Sequence, residues 1–393
     1  MLRSIPICAV LLLPAIGDVV LAADAAAGQP GAGRDYSDVA VRIADFILNQ
    51  QGADGAIRDV PGGDVCNEDS NMEYALMGLA AAYWDDHQAR FLEGLEKGIH
   101  WLAAREEMTD PQWRGSWFLA YEPNPPYAPK PVSPGDGVLD ARGVDATSAL
   151  FCYLLCLHSS LSGDNALARR YEANARAGLD FVLSANWSPD GFSNSSWQKK
   201  RDGKWRLWRY QYTADQGDVY LGLRSGELLC GDERYRQAAS SIEDRIGSRF
   251  FDPKRGRFGL GRDKDGDLDS DFDGFDGIFP QGYIPWVFGK SPESEAAFQW
   301  LAGRGLPDGS VSCYPDDPKY TLSSSALVLA ASSLARPVPD DSLDWIVAHA
   351  LDPQDGGVRD TAAIDSEKFS NVAGFTVMAL VGFPAFPAVE KRP

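Results

Sequence analysis

Apolar positions along this chain come in paired blocks. In each pair an amphipathic stripe comes first and a more continuous apolar run follows. The stripe predicts an amphipathic helix, and a helix apolar on every side must be buried. Between the two lies a recurring figure, clearest in FILNQQGADGAI (46–57). There an aromatic-led apolar helix runs into Gln51, then Asp54-Gly55, then an apolar residue. The figure returns as FVLSANWSPDGF (181–192), WLAGRGLPDGSV (300–311) and WIVAHALDPQDGGV (345–358). Glycine tolerates the backbone found just past a helix end, and Asp bonds its own backbone in turns.

The apolar runs occupy 67–84, 143–158, 213–229, 279–289, 320–335 and 370–383. Most are polar at the start and apolar after it, and Asp69 or Ser70 is placed to cap the first. Strand signals are confined to short alternating runs in the loops. Six helical hairpins predict an all-α fold, an (α/α)6 toroid with long aromatic loops at one end. An open solenoid of helix pairs is the alternative. Wide variation among the units and the absence of polar capping repeats favour closure.

The toroid accounts for residues 34–386. Ahead of it, Arg3, the apolar run 5–13 and Val20-Leu21-Ala22 read as a signal peptide over 1–22, followed by a small-residue linker over 23–33. A secreted or periplasmic protein is expected. Asp18 interrupts the run, which argues against a membrane span in the mature chain. Of six cysteines, Cys8 leaves with the signal. Cys66, Cys152, Cys156, Cys230 and Cys313 are an odd set without a CxxC pair, and spacing does not fix their pairing. The formal charge of −19 argues against nucleic acid, which needs clustered cations. Oligomeric state is not encoded in these patterns.

The polar starts of the inner helices would meet at one end of the ring, where a ligand should sit. They supply Glu68, Asp69, Asn71 and Glu73, then Asp140, Arg142 and Asp145, then Asp215, Gln216 and Asp218. Asp273, Asp276, Gln281, Tyr283, Tyr320, Ser323, Ser370 and Asn371 follow. Loop aromatics fringe them: Trp113, Trp117, Trp197, Trp205, Trp208, Tyr212 and Trp286. Opposed carboxylates with flat aromatic platforms are what glycoside hydrolysis needs. Taken singly, each Asp reads equally as a helix cap or dipole partner, and each aromatic as core. The four histidines fall at the far ends of inner helices (His87, His158) or within outer ones (His100, His349), which disfavours a histidine base or zinc site.

No cofactor is required by this chemistry. Asp269, Asp271 and Asp273, followed by Gly274, match the first half of an EF-hand loop, so a structural calcium ion is one reading of that segment. The twelfth loop position is Pro280 rather than Glu, and a solvated acidic loop is the other reading.

The 46–57 figure resembles the repeat of terpenoid cyclase and protein prenyltransferase toroids in Phe46, Gln51, Asp54 and Gly55, with Ile57 where those families carry Trp. Their Asp-x-Asp-Asp motif and zinc set are absent, so the resemblance implies architecture. GVDATSALFCYLL (143–155) and ADQGDVYLGL (214–223) resemble inner-helix starts of the six-hairpin glycosidases. That likeness implies Asp145 and Asp215 as catalytic carboxylates, with Asp69 and Asp218 in reserve.

The expected function is therefore a carbohydrate-active enzyme, a glycoside hydrolase acting on an oligo- or polysaccharide. Trp113, Trp117, Trp197, Trp208, Tyr212, Tyr283, Arg142 and Glu73 would contact the sugar. Two alternatives stand. One is a lyase for acidic glycans, with Tyr212 or Tyr283 moving the proton and Arg142 or Arg209 neutralising the uronate. The basic run KKRDGKWRLWR (199–209) speaks for it. The other is a glycan-binding or assembly protein that holds sugar without cleaving it.

Overall fold

Each amphipathic stripe folds as an outer helix and each apolar run as an inner one. The structure is a computed structural model. It describes residues 35–387 except 134, 136, 271–276 and 313–318. The expected signal peptide and linker, Cys313, and Asp271, Asp273 and Asp276 lie outside the described residues.

The first two units pair α1 (Ser37–Gln50) with α2 (Asn71–Asp86), and α3 (Ala89–Ala103) with α4 (Asp145–Ser162). The third sets α5 (Ala166–Arg170) and α6 (Glu172–Phe181) against α7 (Thr213–Cys230). The fourth sets α8 (Glu233–Glu243) and α9 (Ile246–Phe250) against α10 (Phe279–Phe288). The last two pair α11 (Pro292–Ala302) with α12 (Thr321–Ser333), and α13 (Asp340–Trp345) with α14 (Ser370–Val381). Outer α3 shows why it lies on the rim. It buries Phe91, Leu95, Ile99 and Leu102 on one stripe. Inner α4 instead buries every residue from Asp145 to Ser159.

Closure is direct. Each inner helix packs on the next, and α14 returns to α2. The α2–α14 seam is close because both helices are bare there. A Cβ on Gly374 would stand 2.2 Å from the Tyr74 carbonyl oxygen, and one on Gly78 2.5 Å from the Gly374 Cα.

The Asp-Gly figure works between units rather than only at a helix end. Outer helices lead into short β-bridges, Gln51 to Ile57, Trp187 to Ser193, Gly305 to Val311 and Leu351 to Val358. Gly55, at φ 99°, is pressed against the next unit's outer helix, so that a Cβ would stand 2.1 Å from the Lys97 carbonyl oxygen. Gly356 of the sixth unit repeats this contact on Arg42 of the first.

The strands all lie in loops between outer and inner helices. β1 (Val138–Arg142), β2 (Ser196–Lys200) and β3 (Trp205–Trp208) form an antiparallel sheet in that order. β4 (Gln211–Tyr212), β5 (Phe251–Asp252), β6 (Arg257–Phe258), β7 (Gly261–Arg262) and β8 (Leu268–Asp269) make two smaller ones, β4-β7-β8 and β5-β6. At the opposite end the segment after α14 lies across the inner helices. The Trp286 indole donates to the Phe383 carbonyl at 2.7 Å, and the Tyr153 hydroxyl donates to that of Ala385. Among the described residues no helix is long and apolar enough to cross a membrane.

Candidate active site

Six inner helices begin at the loop end, and among the described residues three of those starts carry carboxylates. Asp145 is the first residue of α4, and Asp215 and Asp218 lie one turn apart at the start of α7. Asp69 stands just before α2 on a strained segment, where Asn67, Asp69 and Ser70 have φ of 52°, 51° and 68°. Neither Asp69 nor Ser70 caps that helix, contrary to expectation. The Met72 amide donates to Asn67 Oδ1 at 3.0 Å, and the Ser70 hydroxyl pairs with Thr147 at 2.8 Å. Asp59 braces the segment by accepting from the Glu68 amide and the Asn71 side chain at 3.0 and 2.9 Å. The Asp69 side chain is thereby left open to solvent.

These carboxyls act on one another. Burial, and then the charges of Asp145, Asp69 and Asp218, hold Asp215 well above the ordinary carboxylate range. Burial raises Asp145 likewise, reinforced by Asp218 and Asp69, while a hydrogen bond from Ser193 and the Ala146 amide at 3.0 Å favour its ionised form. Asp145 is fully enclosed, with Oδ2 unpartnered, whereas solvent reaches part of Asp215. Asp69 combines an open side chain with walls of protein around it. That enclosure, then the charge of Glu68, pushes it up to about 6. Asp218 lies beneath them, accepting from the hydroxyls of Tyr283 and Tyr74 (2.7 Å for the latter). Those donors favour its charge and burial opposes it, leaving it at about 7.

The expected sugar contacts divide. Trp208 stacks on Tyr210 with centroids 5.6 Å apart, and Tyr210 meets Tyr212 at 4.6 Å. This partly exposed wall leads straight into α7 and Asp215. Trp117, by contrast, is core: it is 1% exposed, and its indole donates to the Leu102 carbonyl at 2.9 Å. Trp113 is buried between Trp197 and Trp205, and the Arg142 guanidinium lies over its ring at 4.4 Å while donating to Ser116. Trp197 keeps a partly exposed edge. Glu73 is enclosed and pushed up to about 8 by burial, with the Asn67 amide at 3.3 Å. Tyr283 is enclosed on Asp218. Glu73, Tyr283, Arg142 and Trp117 therefore support the floor instead of touching a ligand. The lyase reading loses Arg142 and Tyr283 with them.

Sequence reasoning missed Tyr74, Asn67 and Asp59. A tyrosine in the first turn of an otherwise Ala-, Leu- and Met-rich helix was the available signal for Tyr74. Nothing local marks Ser193, which reaches Asp145 from the loop before β2. Gln216 and Gln281 are braces: each side-chain amide grips the backbone of a neighbouring loop residue, Ser193 and Phe258 respectively. In the Asp-rich segment, Asp269 accepts from the Tyr210 hydroxyl at 3.0 Å, and no metal-holding cluster occurs among the described residues.

No family model and no curated protein matches the chain. Solved structures do. A glycosidase variant in complex with glucose aligns at a TM-score of 0.59 and 13% identity, over 89% of this chain and 97% of that one. The fold is that of the six-hairpin glycosidases. The unsaturated glucuronyl hydrolase of Bacillus sp. GL1, responsible for the degradation of glycosaminoglycan, aligns at 0.57 and 13% identity, over 87% of this chain and 94% of that one. An inactive variant of an α-1,6-mannanase from Salegentibacter sp. HEL1_6, in complex with α-1,6-mannotriose, aligns at 0.57 and 11% identity, over 88% and 98%. At such identities the likeness concerns the fold, and the chemistry must be argued from the residues.

Proposed function

We propose that the protein is a secreted or periplasmic glycoside hydrolase whose proton is held by the Asp145–Asp215 pair and whose ionised partner is Asp69. The observation that carries this reading is the convergence of these three carboxyls beside the Trp208–Tyr210–Tyr212 wall. Burial raises both carboxyls and the charge of Asp145 raises Asp215 further, so the two cannot both ionise cheaply and the pair holds a proton. That proton is available to a glycosidic oxygen. Asp69, at about 6, is ionised above that pH and can activate water or attack the anomeric carbon. The aromatic wall holds sugar rings by their apolar faces. The chemistry needs no cofactor. The apolar run behind Arg3 supports placing the activity outside the cytoplasm.

The test is a panel of oligo- and polysaccharides assayed together for new reducing ends and for ultraviolet absorbance. Hydrolysis gives reducing ends without absorbance, and the rate rises as pH climbs through about 6, when Asp69 ionises. It falls again at alkaline pH as the pair loses its proton. Absorbing products would mean elimination. Binding without turnover on any glycan would leave a sugar-holding protein.

A further inference from the structure

The β2–β3 hairpin rises from the catalytic floor, because both of its roots touch it. Before β2, the Ser195 carbonyl accepts from the Asp145 amide at 2.9 Å. After β3, Tyr210 and Tyr212 lead into Asp215. Residues 199–209 carry Lys199, Lys200, Arg201, Lys204, Arg206 and Arg209 against a single carboxylate, Asp202, in a chain of net charge −19. Such a local reversal of sign needs an explanation.

Strand alternation sorts these residues by face. Trp197 and Trp205 pack on Trp113 with centroids 5.7 and 5.3 Å away, so their face is turned inward. The other face bears Gln198 and Lys200 on β2, with Arg206 and Trp208 on β3, Gln198 opposing Arg206 and Ser196 opposing Trp208. Its root at Ser196 and Gln198 is buried, the half-buried Lys200 ammonium donates to Gln198 Oε1 at 2.5 Å, and Arg206 and Lys204 are exposed. At the tip the Lys200 amide donates to the Lys204 carbonyl at 2.9 Å, which sets two lysines against each other. Like charges opposed across a hairpin are unfavourable without a counter-charge. The nearby carboxylate, Asp202, is engaged by Arg206 at 2.6 Å in an exposed pair of the kind that holds weakly. Aromatic platform and cations thus form one stripe, running outward from the wall beside Asp215.

We propose that this outer face of the hairpin is a subsite for negatively charged sugar residues, bearing carboxylate or sulfate, in the portion of the glycan that extends beyond the cleaved bond. The inference rests on the hydrolase reading for its position in the reaction, and adds the substrate class. A ring stacks on Trp208 while Arg206, Lys200 and Lys204 meet its anionic group.

The experiment is calorimetric titration of the full chain with short oligouronates, sulfated oligosaccharides and neutral oligosaccharides of equal length, at low and high salt. The variant carries Lys200→Ser, Lys204→Ser and Arg206→Ser together, the last two exposed and Lys200 half-buried, with circular dichroism as the folding control. Oligouronates or sulfated chains should bind in a salt-sensitive way, and the variant should lose roughly tenfold in affinity for them while keeping its affinity for neutral sugars. Whichever anionic series binds identifies the charged group. Equal affinity for neutral and anionic chains, or a variant that binds like the parent, would overturn the proposal. Because binding is read without turnover, absent hydrolysis would sink the enzymatic reading and leave this measurement standing. Hydrolysis of a neutral glycan together with no salt-sensitive binding of either anionic series would do the reverse.

Discussion

The ring is one architectural unit repeated, yet its two halves differ in chemistry. In the half built on α2, α4 and α7, the helix starts bring carboxyls together. In the half built on α10, α12 and α14, the described residues at the helix starts are Gln281, Thr321, Ser323 to Ser325 and Ser370, all enclosed. Among the described residues every buried carboxyl, namely Asp59, Glu73, Glu106, Asp140, Asp145 and Asp218, lies in the first half. The comparison teaches that the fold needs only polar groups able to satisfy helix ends. Hydroxyls and amides do this without electrostatic conflict. Carboxyls crowded at one side repel one another, and that arrangement is explained by chemistry better than by stability.

The sharpest way to break the comparison is to substitute matched positions. Asp215→Asn or Asp69→Asn should lower kcat by roughly 10²–10⁴-fold. Ser323→Ala or Ser370→Ala, in the opposite half, should stay within about threefold, since both hydroxyls are buried without a partner. Comparable losses on both sides would show that the halves share the reaction.

The seam between the halves comes next. Gly374→Ala puts a methyl into the Tyr74 carbonyl, so α14 must move off α2, at a cost of about 1–3 kcal/mol by urea denaturation. Tyr74 sits on that seam, and activity should fall with stability.

Tyr283→Phe reaches across from the hydroxyl half. Without that donor Asp218 stays protonated to higher pH and its charge no longer supports the pair's proton. The alkaline limb of the activity profile should therefore move to lower pH, with kcat down by about tenfold. An unshifted profile with reduced kcat would mean a purely structural tyrosine.

The smallest effect concerns stability. Burial holds Glu106 and Glu73 at about 8 and Asp59 at about 7, above their ordinary values. The folded state therefore binds more protons than the unfolded one from acid pH up to about 8, and stability declines as pH rises through that window. Tm should drop by several degrees, roughly 5 °C, between pH 5 and pH 8.5. Glu106→Gln, which keeps the Asn174 contact of 2.6 Å in neutral form, should flatten part of that slope.

Much of this was readable in advance, for reasons specific to each residue. The six hairpins were legible because an inner helix of a ring has no solvent face, so its sequence drops the polar stripe. Asp145, Asp215 and Asp218 were legible because a carboxylate in an apolar helix is costly and therefore informative. Trp117 and Arg142 were misread because a loop aromatic or cation looks the same whether it faces a ligand or plugs a gap. Tyr74 and Asp59 were hidden because their meaning depends on partners 144 and 12 residues away. The turn glycines were assigned to helix ends, whereas their neighbours are the outer helices of the next unit.

The return of α14 onto α2 also sets an order of assembly. While the chain is being made, the seam around Gly78 and the lower ends of Tyr153 and Trp286 stay bare until residues 370–386 have emerged from the ribosome. A nascent or truncated product lacking them would display that unsealed seam to chaperones and proteases. The ring thus carries its own test of completeness, read out late in synthesis by whether the first inner helix finds its last neighbour.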